Sequence, residues 1–296
     1  MRIAVMGAGA VGCFFGALLA QAGHEVVLIG RAAHMDAVRA NGLLLERAAE
    51  TEHVRLEAST AADAVAGAGL VLFCVKSDDT EAAGRQMAPH LAADAMVLSL
   101  QNGIGNAQRL EAVLHRPVYQ AAVYVAVEMA GAGHVRHHGR GELIIGLQPG
   151  AEALAGTLRA AEVPVEISAE VEGLLWTKLV LNCAYNALSA ITSQPYGALL
   201  AVEGAEILIH NILAECEAVA RAEGIVLPAG LEQIVLQTGR DMARQFSSTA
   251  QDIMRGRRTE IDYLNGYVVR LGAVHGVATP LNQALTVMVK IIEKKI

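Results

Sequence analysis

The sequence predicts an α/β protein: a doubly wound, Rossmann-type sheet over residues 1–169, then an all-α domain over residues 170–296. Three observations carry that expectation. Short apolar strands alternate with helical stretches through the first half, and a glycine-rich turn joins the first strand to the first helix. From about residue 170 onward, helical periodicity dominates.

Arg2–Met6 is β-prone, residues 10–22 read as a helix, and Glu25–Ile29 is a second apolar run, with a helix expected near 33–41. Residues 70–75 and 96–100 are continuous apolar runs. Strands apolar on both faces that alternate with helices imply a parallel sheet covered on both sides. Residues 118–127 and 135–146 look like antiparallel additions at the sheet edge, and 164–168 like the last strand. Helices are then expected over 171–191, 203–223, 228–245, 248–255, 260–275 and 280–294. Gly224, Gly256 and Gly276 fall where helices end, and Pro228 and Pro280 where they begin.

Composition narrows the class. The 296 residues suit two domains, and 53% hydrophobic with only 4% aromatic suits helices packed on a sheet. A net charge of −7 gives no global attraction for nucleic acid or an anionic membrane. Arg255, Arg257 and Arg258 form only a short basic cluster, read as solvated surface. Cys13, Cys74, Cys183 and Cys216 lie far apart in apolar stretches without a C-x-x-C, which predicts buried free thiols in a reducing cytoplasm. The opening apolar run mimics a signal peptide. Its regularly placed glycines and the strand that follows favour a soluble, cytoplasmic chain without a spanning helix.

Gly7, Ala8, Gly9, Ala10, Val11 and Gly12 form a G-x-G-x-x-G between strand and helix. Gly7 permits the tight turn, Gly9 lets backbone approach a pyrophosphate, and Gly12 lets helix and strand pack closely. The helix N-terminus offers N–H groups to the phosphates. An NAD site usually places an acid at the end of the second strand to hold the ribose 2′-hydroxyl. Here Ile29, Gly30 and Arg31 stand there, with no acid before Asp36. A carboxylate would repel a 2′-phosphate that Arg31 can bind, so NADP (as NADPH) is the expected cofactor. Lys76, and Asn102 after Gln101, follow buried strands at the sheet edge where ligands bind. Either could also be an ordinary polar turn residue.

Lys178, Asn182 and Asn186 are spaced i, i+4, i+8 on an otherwise apolar helix. Steps of four turn only about 40°, so all three share one stripe. A cation and two amides are costly to bury unless something polar binds there. Where a nicotinamide cofactor gives hydride to a carbonyl, negative charge grows on the oxygen, and a positioned ammonium can stabilise and then protonate it. Farther on, Ser248 with Gln251 has capping-box spacing, and Thr259 with Glu260 could open the next helix. His134, His137 and His138 lack ligand spacing, so they are expected to be exposed and no metal site is expected.

These residues together resemble the ketopantoate reductase (2-dehydropantoate 2-reductase) family. The match runs through the glycine fingerprint, Val75 and Lys76, Leu100 to Gly103, the Lys178–Asn182–Asn186 stripe, and Ser248 followed by Thr259, Glu260, Ile261 and Asp262. The resemblance implies NADPH-dependent reduction of 2-dehydropantoate to (R)-pantoate, in pantothenate biosynthesis. By that analogy Lys178 is the general acid, and Asn102, Asn182 and Asn186 hold substrate. Ser248 would hold its carboxylate, and Glu260 a substrate hydroxyl or the lysine. Asn102 would also border the cofactor. Ala187 stands where members commonly have proline, and residues 119–133 differ from the expected Gly/Thr-rich stretch. A reductase of another 2-oxo acid and a non-catalytic NADP sensor are the competing readings. Partners are expected to be small molecules, with a homodimer left open.

Overall fold

The computed structural model describes residues 1–295 and divides into two compact units, Met1–Val171 and a second that begins at Glu172.

In the first unit β1 (Arg2–Met6), α1 (Ala10–Gln21), β2 (Glu25–Ile29) and α2 (Ala32–Asn41) follow in turn. Next come β3 (Leu43–Glu46), β4 (Thr51–Val54), β5 (Glu57–Ser59), β6 (Leu70–Phe73), α3 (Thr80–Met87), β7 (Met96–Ser99) and α4 (Asn106–Leu114). A long hairpin of β8 (Tyr119–Gly131) and β9 (His134–Gly146) leads to α5 (Ala151–Ala160) and β10 (Val165–Ser168).

Strands β5-β2-β1-β6-β7-β8 lie side by side and all parallel. That is the 3-2-1-4-5-6 order of a dinucleotide-binding sheet. Successive residues of the central strands point to opposite faces. Ile3, Val5, Val26, Leu28, Leu70 and Leu72 enter one apolar layer, and Ala4, Met6, Val27, Ile29, Val71 and Phe73 the other. Burial on both faces explains why these strands read as unbroken apolar runs.

The sheet extends beyond what the sequence suggested. β8 joins parallel to β7 and then runs antiparallel to β9 with register shifts. β9 is no edge strand: it pairs with β3 and with β10, both parallel to it, and β4 closes the side as the antiparallel partner of β3. The histidines therefore sit in a covered strand. His134 meets Glu46 at 2.7 Å, His137 stacks on Phe14 at 4.4 Å, and His138 alone is exposed, 3.1 Å from Glu128. Cys13, Cys183 and Cys216 are buried and Cys74 partly so; all four thiols are free.

The second unit is helical. α6 (Val171–Thr192), whose first residue closes the first unit, leads to α7 (Tyr196–Leu200), α8 (Ala205–Ala222), α9 (Leu231–Asp241), α10 (Ser248–Met254), α11 (Asn265–His275) and α12 (Pro280–Glu293). Pro280 opens α12 as expected, and Gly224, Gly256 and Gly276 take positive φ. Pro228 does not open a helix: α9 starts at Leu231, after Gly230 in the left-handed region. The stretch expected as one helix over 260–275 is a 3-10 turn, Ile261–Tyr263, followed by α11. Among the described residues no helix is long and apolar enough to cross a membrane.

Candidate active site

The parallel register brings the carboxyl ends of four strands level, since Met6 pairs with Ile29 and Phe73, and Phe73 with Ser99. The segments leaving that edge hold Gly7, Arg31, Lys76 and Asn102.

The three fingerprint glycines do different work. At Gly7 φ is +101°, and a Cβ would lie 2.5 Å from the Val75 nitrogen and 2.6 Å from the Cys74 carbonyl carbon. At Gly12 a Cβ would lie 2.5 Å from the Gly7 oxygen and 2.7 Å from Val5 Cγ1. Both are forced by packing. A Cβ on Gly9 would meet nothing within 4 Å, so that glycine keeps space free that the protein does not fill. Ala8 donates to the Ile29 carbonyl at 2.9 Å, and α1, opening at Ala10 and Val11, has neither a side-chain cap nor an acid in its first turn. Its leading N–H groups and positive dipole end face that free space, which fits a pyrophosphate.

Arg31 is exposed at the end of β2 and caps α2 by position, its carbonyl accepting from His34 and Met35. Asp36, the first acid beyond it, is held by Arg39 at 2.6 Å. Lys76 is exposed at the start of the 3-10 turn Ser77–Asp79, and Asn102 is half-buried.

Between them lies a buried polar network that the sequence reading did not single out. The Gln101 amide donates to the Val75 carbonyl at 3.1 Å and to Thr80 Oγ1 at 2.8 Å, and accepts from Ser99 at 3.0 Å. Asn106 Nδ2 donates to the Asn102 carbonyl at 2.7 Å and to Ser77 Oγ at 3.1 Å. Arg109 donates to Asn106 Oδ1 at 3.0 Å while gripping Glu81 through two bonds of 2.7 and 2.6 Å. Those bonds hold the Glu81 carboxyl below the usual carboxylate range.

In the helical unit, one side of α6 is core. Trp176, Leu179, Val180, Cys183 and Ala187 are buried there, Trp176 packing edge-on to Tyr267 at 6.1 Å. Lys178 and Asn182 are half-buried, and Asn186 is only 2% exposed. Asn186 Nδ2 reaches Ser248 Oγ at 3.4 Å, and its Oδ1 is buried with no hydrogen-bond partner. A solvent-facing polar edge does not explain this amide. An orphaned buried acceptor costs about 1–3 kcal/mol.

Ser248 is not the helix cap. Ser247 caps α10, its Oγ accepting from Ala250 N at 3.0 Å and donating to the Asn186 carbonyl at 3.1 Å, and Ser248 is exposed in the first turn. Neighbouring hydroxyls thus divide the work: Ser247 caps the helix, and Ser248, though exposed, meets the Asn186 amide only at 3.4 Å. Ser247→Ala should lower stability by about 1–2 kcal/mol and Ser248→Ala by less than about 0.5 kcal/mol, as urea midpoints at constant m will show. Thr259 likewise caps only the 3-10 turn, accepting from Ile261 N at 3.2 Å, and Glu260 beside it is half-buried.

A dinucleotide-binding sheet with this fingerprint, followed by a helical unit carrying a lysine–asparagine stripe, defines an NAD(P)-dependent oxidoreductase. Comparison with known proteins agrees. Residues 3–150 match the family model described as ketopantoate reductase PanE/ApbA, and residues 170–293 match the C-terminal model of the same family. The chain belongs to the ketopantoate reductase family. It is 36% identical to the 2-dehydropantoate 2-reductase of Vibrio cholerae over 99% of this chain and 98% of that protein. A PanE/ApbA family ketopantoate reductase from Ralstonia eutropha JMP134 superposes with a TM-score of 0.97 at 54% identity, covering 100% of this chain and 99% of that one. D-mandelate dehydrogenase, in a ternary structure with NADH and anilino(oxo)acetate, superposes with a TM-score of 0.92 at 28% identity, covering 100% and 99%.

Proposed function

We propose that this enzyme reduces 2-dehydropantoate to (R)-pantoate with NADPH. The observation that carries the reading is the α6 stripe, Lys178 and Asn182 half-buried and Asn186 buried on an otherwise apolar helix. Binding a cofactor alone requires no such stripe, whereas orienting a polar substrate does.

Gly7, Gly9, Gly12 and the leading N–H groups of α1 would hold the pyrophosphate, Arg31 the 2′-phosphate, and Lys76 and Asn102 the nicotinamide side. When bound, the reduced cofactor supplies a hydride to the C2 carbonyl carbon. Lys178 stabilises the charge that grows on the carbonyl oxygen and gives that oxygen a proton, so that hydride and proton together yield the 2-hydroxy acid. Asn102, Asn182 and Asn186 orient the substrate without adding charge that would compete with the lysine. Ser248 would hold the carboxylate, and Glu260 the substrate hydroxyl or the lysine.

Turnover of 2-dehydropantoate, followed by loss of NADPH absorbance across a panel of 2-oxo acids, tests the reading. The likeness to D-mandelate dehydrogenase supports a second reading, the same chemistry on a 2-oxo acid with an aromatic group. Preference for such an acid in the panel would establish the second over the first. Tight NADPH binding with no acid reduced would defeat both.

The NADPH preference rests on Arg31 and on the absence of an acid at the end of β2. Arg31→Asp is expected to cut the ratio of NADPH to NADH affinity by about 10–100-fold, the worth of a charge-assisted contact replaced by repulsion. Equal effects on the two affinities, read by titration of cofactor fluorescence, would remove Arg31 from this role.

A further inference from the structure

We propose that Asn106 is a positioning residue for the reduction, holding the loops that carry Lys76 and Asn102 in one fixed arrangement. The proposal rests on the reductase reading above, but two of its readouts need no substrate.

The two candidate ligand residues lie on separate loops, after β6 and after β7, and each is pinned on both sides. Lys76 stands between Val75, whose carbonyl is held by Gln101, and Ser77, whose hydroxyl is held by Asn106. Asn102 follows Gln101 itself, and its own carbonyl accepts from Asn106. Ser77 Oγ is also within 3.4 Å of that carbonyl, so one amide group joins both loops at a single point. Ser77 is fully buried, Asn106 is 3% exposed and Gln101 7%. In such a place each bond is worth more than at the surface, and a lost partner leaves a desolvated polar group behind.

Asn106 is itself held. It is the first residue of α4, preceded by Gly105 at φ +81°, and Arg109 one turn on donates to its Oδ1. That bond fixes which way the amide faces, because only Nδ2 can then point at the loops. Arg109 is tied to Glu81 at the start of α3, so the clamp is braced by both helices that follow the two strands. The network ties the two turns to each other as well as to the helices that follow them. The purpose that accounts for it is to fix Lys76 and Asn102 to within a fraction of an ångström, the tolerance that hydride transfer demands.

The test uses the full-length protein with three variants. Asn106→Leu keeps the branched shape and heavy-atom count while removing donor and acceptor, Asn106→Asp keeps the acceptor for Arg109 and removes the donor, and Ser77→Ala is the mild case. For both Asn106 variants we expect kcat to fall at least tenfold, with a larger primary isotope effect from 4-deuterated NADPH and a smaller change in the KM of the 2-oxo acid. NADPH dissociation constants should rise at least threefold, and amide exchange over residues 75–80 and 101–105 of the cofactor-free protein should quicken at least tenfold. Ser77→Ala should move every readout the same way by about threefold. If Asn106→Leu fails to fold, the other two variants decide. Folded variants with kcat, isotope effect and cofactor affinity all within twofold of the parent would overturn the proposal, even if their melting temperature fell. If the parent reduces no 2-oxo acid the function reading fails, while loop exchange and cofactor affinity still decide whether Asn106 positions the loops.

Discussion

Lys178→Ala is expected to lower kcat about a thousandfold while leaving the NADPH dissociation constant within about twofold. The size follows from the role proposed for the ammonium, to stabilise charge on the carbonyl oxygen and supply the proton, contributions that together span roughly 10²–10⁴ in rate. The direction of the split follows from where it sits. Lys178 projects from α6, in the helical unit, whereas the fingerprint and Arg31 belong to the sheet unit. Truncation should therefore spare cofactor binding. The half-buried position also predicts that Lys178→Arg will not rescue, because a planar guanidinium fork cannot take the place of a compact ammonium and rarely gives up its proton. Single-turnover absorbance with enzyme in excess separates the chemical step from product release. A parent-like single-turnover rate in Lys178→Ala would assign proton donation to another group.

The second large effect separates two glycines two positions apart. Gly7→Ala should destabilise the sheet unit by about 2–5 kcal/mol. Its Cβ would strike the backbone of Cys74 and Val75 at a φ of +101° that L-residues rarely adopt, and backbone cannot swing aside as a side-chain tip can. Gly9→Ala has the opposite profile. Nothing of the protein lies within 4 Å of the new methyl, so stability should change by less than about 0.5 kcal/mol while NADPH affinity drops by at least tenfold. Urea denaturation without cofactor reads the first difference and fluorescence titration the second. A stable, tightly binding Gly9→Ala variant would mean the free space beside α1 is not where the pyrophosphate lies.

Much of this was legible in the sequence because the signals are local. The fingerprint needs only residues 7–12 between a strand and a helix, and the α6 stripe needs only one helical period. What escaped depends on distant partners. β4 and β5 are short and polar, Thr-Glu-His-Val and Glu-Ala-Ser, and become strands because β3 and β2 offer them an edge. No periodicity in seven residues could reveal that. Ser247 and Ser248 are adjacent hydroxyls, and capping-box spacing favoured the second. The Asn186 carbonyl, 61 positions away, recruits Ser247 instead. Asn106 was not singled out at all, because Ser77, its partner, lies 29 positions upstream. Side-chain amides in a buried network carry no sequence period.

The pairing of β3 with β9 also bears on how the protein is made. Glu46 and His134, which meet across those strands, are 88 positions apart, and the turn before His134 is fastened to His34 through Gly133. On a ribosome adding about 5–20 residues per second, the β3–β4 hairpin waits roughly 4–16 s for the strand that covers its inner edge. Through that interval Leu43 and Leu45, fully buried at the end, have no sheet to enter. Until β9 arrives, the inner edge of β3 is an unpaired strand edge of the kind that invites pairing with other chains.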